Sequence, residues 1–139
     1  VKLCGNFLIA SAIEANSEMC AFAESNGVDR EEVMSLLSET IFDCLIYRGY
    51  GNRVAGRKHL QNHDHPGFAL ELGLKDVSLV LDTAQKSGTP MPLGSLLRDR
   101  YLSAKNRGRG HLDWSAIGLG VSEDAGHDVL DFAENPRPE

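Results

Sequence analysis

Lys2 and Asn6 stand four residues apart in a segment that reads as helix, which sets an amine and an amide side by side about 6 Å apart along the helix axis. Together they can hold one oxygen-rich ligand, the amine as a cation and the amide as donor and acceptor. At about 100° per residue the pair shares a side with Ile9, Ile13 and Cys20, so a cation opens a stripe that otherwise reads as buried. Gly5 between them costs a helix about 1 kcal/mol relative to alanine, which fits a place where something must approach the backbone. The same spacing equally fits an ordinary solvated lysine at a frayed helix end. Lys75, followed by Asp76, is the second cation of interest, but Glu71 four residues earlier offers it an ordinary surface ion pair, and Asp82 with Lys86 repeats that arrangement.

Other chemistries find less support. His59, His63, Asp64 and His65 contain metal-binding residue types, but the turn-like Asn62–Pro66 stretch spoils a helical arrangement and no cysteine or glutamate stands nearby to complete a set, so no metal is expected. His111 and His127 read as isolated. Cys4, Cys20 and Cys44 form no Cys-x-x-Cys pair, and Cys4 and Cys20 on one helix would sit about 24 Å apart, out of disulfide reach. A reducing, cytoplasmic setting is the simplest reading. Three Gly-x-Gly pairs, Gly49 with Gly51, Gly108 with Gly110 and Gly118 with Gly120, neither follow a strand pattern nor continue to a third glycine, so no dinucleotide-binding strand–turn–helix is expected, and no nucleophile elbow is present. Arg98, Arg100, Lys105, Arg107 and Arg109 crowd the end of one helix, where cations complement its dipole. With a net charge of −6 and few aromatic partners beyond Tyr101 and Trp114, the chain does not read as a nucleic-acid binder. In residues 48–58, by contrast, Arg48, Arg53, Arg57 and Lys58 stand with no acid among them.

The elements that must position these residues read as helices throughout. With 139 residues, 42% of them hydrophobic, the chain is long enough for one globular core and short for two domains. The first 25 residues form one long, apolar, largely buried helix ended by Gly27, and Asp29 with Glu32 caps the next. Ile41, Phe42, Leu45 and Ile46 continue the helical spacing, and Gly49 to Gly67 reads as loop. Leu70, Leu74, Val77, Leu81 and Ala84 form the stripe of a packed helix stopped by Gly88 and Pro90. Pro92 opens another, with Leu93, Leu97, Tyr101 and Ala104 facing inward and Gly108 at its end. Asp113 or Ser122 can cap short helices, and Pro136 and Pro138 mark a frayed tail. The fold class is all-α, with residues 1–121 as the main helical domain and 122–139 as a short helix and tail. No apolar run reaches the ~18 residues of a membrane span. Because the chain opens inside a helix and not on a start methionine, it reads as a domain of a longer protein.

Two stretches, KLCGNFLIASAIEANSEMCAFAESNGVD at 2–29 and GFALELGLKDVSLVLDTAQKSGTPMPLGSLLRDRYLSAKNRGRGHLDWSAI at 67–117, resemble the C-terminal helical domain of the β-hydroxyacid dehydrogenases, the family of 3-hydroxyisobutyrate dehydrogenase and tartronate semialdehyde reductase, related to 6-phosphogluconate dehydrogenase. The resemblance implies an oxidoreductase whose N-terminal Rossmann domain, absent from this chain, binds NAD or NADP, and whose helical domain closes the active site and forms a homodimer or higher homo-oligomer. Lys2 and Asn6 match the family's Lys-x-x-x-Asn, which makes Lys2 the general acid/base and Asn6 a holder of substrate oxygens. Lys75 and Asp76 match the family's Lys-Asp pair on a later helix, which makes Lys75 a contact to a small hydroxyacid substrate or to nicotinamide, and Phe68 would line the pocket. An amine among apolar neighbours and beside a second cation becomes a usable base near neutral pH. The glycines that precede the catalytic lysine in the family are missing, so the isolated chain should be inactive, and residues 48–65 inherit no role. The rival reading is a non-catalytic helical dimerisation or interaction module.

Overall fold

A computed structural model describes residues 1–57 and 66–129, so the cluster of His59, His63, Asp64 and His65 lies outside the described residues. Six α-helices are joined by short π-helical and 3-10 turns, and no sheet occurs among the described residues beyond one isolated bridge between Ala69 and Asp113. The all-α expectation holds there.

Helix α1 (Lys2–Ser25) is the central element, and α2 (Arg30–Glu39), the short α3 (Asn52–Ala55), α4 (Leu70–Ser87), α5 (Pro92–Ala104) and α6 (Ile117–Asp124) all pack on it. Its end follows the glycine logic: Gly27 takes φ 73°, and the Val28 N–H returns to the Ala23 carbonyl at 3.0 Å. Asp29 then caps α2, its Oδ1 accepting the N–H groups of Glu31 and Glu32. Ile13, Cys20, Met34, Val54, Leu70, Val77, Leu97, Tyr101, Ile117 and Leu119 form the core. The cysteines are free, with Cys20 buried and Cys4 and Cys44 exposed. No described helix is long and apolar enough to cross a membrane.

The structure departs from the periodicity reading in four places. The stretch at Ile41 to Ile46 does not extend a packed helix: Thr40 leaves helical geometry at φ −121° and ψ −97°, the Phe42 N–H turns back to the Leu37 carbonyl, and Ile41 and Leu45 stay 75% and 82% exposed. Conversely, Gly49 and Gly51 belong to a π-helical turn (Tyr47–Gly51) that runs into α3 and not to a loop. Gly51 serves close packing, since a Cβ there would come within 2.7 Å of the Met34 thioether. On α5 the inward position is Gly94 and not Leu93, because the Leu81 side chain fills the space against the Gly94 backbone. Ser122 lies buried inside α6 and caps nothing, whereas Asp113 does cap a 3-10 turn (Trp114–Ala116).

Candidate active site

The first turns of α1 and the middle of α4 meet through one polar contact. The Asn6 Nδ2–H donates to Asp76 Oδ2 at 2.6 Å, joining residues that lie 70 positions apart. Both side chains are half-buried, and Lys2 and Lys75, which accompany them on the two helices, are exposed. The burial expected to tune Lys2 is therefore not supplied by the described residues. The same two helices and the turn after α4 line a mostly apolar groove of about 420 Å³, with Leu3, Phe7, Val80 and Met91 in its walls.

Neither of the two expected surface ion pairs on α4 forms. Glu71 turns to Lys105 Nζ at 3.9 Å, its stem packed against the Gly110 backbone, and among the described residues Lys2 and Lys75 enter no ion pair within 4.0 Å. Asp82 and Lys86 likewise stay apart. Phe68 is half-buried and meets the Trp114 ring edge-to-face at 4.7 Å. Its N–H donates to Asp113 Oδ2 at 3.3 Å and its carbonyl accepts the Trp114 N–H at 2.8 Å. The segment carrying Phe68 is thus tied to the core just before α4 begins.

Sequence reasoning missed the charged residues that brace this frame. Asp113, buried, accepts from Arg53 Nη1 at 2.8 Å and from Ser115 N and Oγ as well as from Phe68, while Arg53 also lies over the Tyr50 ring. Glu24 on α1 holds both Arg30 and Arg57 at 2.8 Å, and Ser122 and the Val54 carbonyl complete that cluster. His127 is not isolated but sits 3.0 Å from Ser25 Oγ. Burial raises the Glu24 pKa, yet Arg57 and then Arg30 outweigh it and hold the carboxyl below its ordinary value. Hydrogen bonds from Arg109, with further help from Arg107, hold Glu123 below its ordinary value against a smaller effect of burial. Glu14 goes the other way: burial raises it despite its bond to Arg100 Nε at 2.7 Å. The basic run at the end of α5 therefore ties helices together: Arg100 bridges Glu14 and Asp124, and Arg107 and Arg109 grip Glu123. Acid and base far apart in sequence leave no periodic signal. A composition count could at most have set the acid-free residues 48–58 beside the eight acids of residues 1–43. Among the described residues, no group of three or more His, Cys, Asp or Glu could hold a metal ion.

Comparison with known proteins gives this geometry a context. A family model described as NAD-binding of NADP-dependent 3-hydroxyisobutyrate dehydrogenase matches residues 1–118; its description speaks of NAD binding and not of a C-terminal helical domain. An uncharacterized oxidoreductase of Bacillus subtilis is 33% identical over 116 residues, covering 84% of this chain and 39% of that protein. The 3-sulfolactaldehyde reductase of Escherichia coli is 30% identical over 117 residues, covering 84% of this chain and 38% of the enzyme. The chain thus spans about two fifths of the length of these relatives. Among solved structures, a 3-hydroxyisobutyrate dehydrogenase from Salmonella typhimurium aligns with a TM-score of 0.64 at 27% identity, over 86% of this chain and 40% of that one. The Mycobacterium tuberculosis 3-hydroxyisobutyrate dehydrogenase shares the fold, with a TM-score of 0.70 at 24% identity, over 86% of this chain and 42% of that one. With the model matching most of its length, the chain belongs to the 3-hydroxyisobutyrate dehydrogenase-like family.

Proposed function

We propose that this chain is the C-terminal helical, substrate-side part of an NAD(P)-dependent dehydrogenase that interconverts a small 3-hydroxy acid and its aldehyde or keto form. The observation that carries the reading is the Asn6–Asp76 hydrogen bond, because it joins the Lys-x-x-x-Asn of α1 to the Lys-Asp of α4. Two separated motifs meeting at one place is what an active site requires and what a plain packing module does not.

Lys2 is the general acid/base. Exposed at the start of α1, it takes the substrate hydroxyl proton as the carbon gives up its hydride, and returns a proton in the reverse direction. Asn6 holds substrate oxygen. Lys75, exposed and without an ion pair among the described residues, meets a negative or carbonyl oxygen of the substrate or of the nicotinamide, and Phe68 stands as an apolar wall. NAD or NADP supplies the hydride acceptor when bound. On this reading Lys75 reaches toward it and the dinucleotide is held mainly by an N-terminal Rossmann part, in keeping with the lack of a strand–turn–helix among the described residues. That second part also covers Lys2 and removes it from water. As a domain arrangement, residues 1–121 hold a helical unit of the 6-phosphogluconate dehydrogenase C-terminal type that continues past that bound, since α6 runs to Asp124 and Ser122 and Val129 are buried, and the unit pairs with a second copy.

The test is turnover by the longer protein. With NAD and NADP and a panel of short 3-hydroxy acids, absorbance of the reduced nicotinamide should rise for the full-length protein and not for the 139-residue chain alone. Reduction by the short chain would contradict the division of labour. No turnover by the long one would favour the non-catalytic helical module instead.

A further inference from the structure

We infer that Asp76 is a positioning residue of this site, acting through Asn6. The inference rests on the dehydrogenase reading above. An ionised carboxylate only accepts hydrogen bonds, so the partner it meets at 2.6 Å must be the amide nitrogen of Asn6 and not its oxygen. That removes the twofold ambiguity of a side-chain amide. With Nδ2 held by Asp76, Asn6 keeps its Oδ1 and one N–H for a ligand in a single arrangement, before any ligand arrives. A free asparagine would sample both flips and both would meet the substrate.

Two further features point the same way. Asp76 enters no ion pair within 4.0 Å among the described residues, although Lys75 adjoins it in sequence, so its charge is directed at the amide. The contact is also a polar bridge between half-buried side chains of α1 and α4, whose neighbours Leu3, Phe7 and Val80 on the same two helices line the apolar groove. A carboxylate placed there only to join two helices would be served as well by a pair of apolar residues. What it adds is the fixed polarity of the amide.

The experiment measures steady-state kinetics of the full-length protein as wild type, D76A, D76N, N6A and N6A/D76A. D76A should lower kcat/KM for the hydroxy acid about tenfold, the loss expected for one charge-assisted hydrogen bond, with KM for the dinucleotide unmoved. D76N, which keeps size and one acceptor oxygen but can present either end of its own amide, should fall between wild type and D76A. In the N6A background the second substitution should cost nothing more, since Asp76 acts through Asn6. A wild type without turnover removes the dehydrogenase reading itself. Given turnover, wild-type kcat/KM in D76A, or in D76N if D76A does not fold, overturns the role of Asp76 alone. A further tenfold loss in N6A/D76A overturns the route through Asn6.

Discussion

Asp113 shows how much one buried carboxylate does for the frame of this site. It accepts from Arg53, from the Phe68 backbone and twice from Ser115, and so ties the start of α4 to α3 and to the 3-10 turn. Removing one partner of a buried pair costs more than the pair contributes, because the groups left behind stay buried without a partner. Arg53 is 36% exposed and can turn to water, so the loss in D113A comes mainly from Ser115 and the Phe68 N–H and should be about 1–3 kcal/mol, read as a lower urea midpoint at unchanged slope. In the sequence Asp113 was legible only as a helix cap. Its other partners come from 60 and 45 residues away, and no local pattern reports them. Lys2 and Asn6 were legible because four residues along a helix is a local geometry, whereas Asp76 as the partner of Asn6 was not.

Acid stability is also decided by individual residues, and the signs differ. Glu24 and Glu123 have folded pKa values below their ordinary ones, so the stability they add is present above about pH 4.3 and is lost as pH falls through the lowered values. Glu14, raised by burial, acts oppositely: its protonation on acidification favours the folded state. Thermal unfolding should stay level from neutral to about pH 5 and then fall steeply. E24Q should unfold earlier at pH 7, having left Arg30 and Arg57 without their carboxylate, and should show a flatter decline between about pH 5 and 3. An acid decline as steep in E24Q as in wild type would remove Glu24 as its source.

At the scale of elements, the helices and most of their ends could be read from glycine, proline and capping residues, because these signals are local. What failed was the inward face where helices come close. A Cβ at Gly73 would lie 2.8 Å from Tyr101 and 3.2 Å from Trp114, and Gly94 meets Leu81 in the same way. Hydrophobic periodicity passes over a glycine whose role is to let a neighbour's side chain in. G73A should thus destabilise by about 1–3 kcal/mol through overpacking. G5A is the contrast: Gly5 is exposed and its added Cβ meets nothing within 4 Å, so the chain should gain up to about 1 kcal/mol of helix stability. If Gly5 is there because a ligand approaches the backbone beside Lys2, G5A should at the same time slow the full-length protein. Unchanged turnover would leave Gly5 without a functional reason.

For the whole molecule, the described surface exposes Phe22, Leu36, Ile41 and Leu45, large apolar side chains on and just after the first two helices. The pairing proposed above would remove such side chains from water. The chain should run as a dimer or larger assembly by light scattering, and L45E should shift it toward the monomer. A strictly monomeric mass would count against pairing through this region. The apolar excess of the first helix was plain in the sequence and already pointed to self-association, whereas Ile41 and Leu45 read as a continuing helix, since composition does not show which side chains face the core.

The central claim is that the amine at the start of α1 is the acid/base of a hydroxy acid dehydrogenase, and Lys2→Ala in the full-length protein tests it most directly. The expected result is a fall in kcat of about 10²–10⁴, the usual worth of a positioned general acid/base, with dinucleotide affinity and thermal stability near wild type. Turnover within a few-fold of wild type would contradict the account.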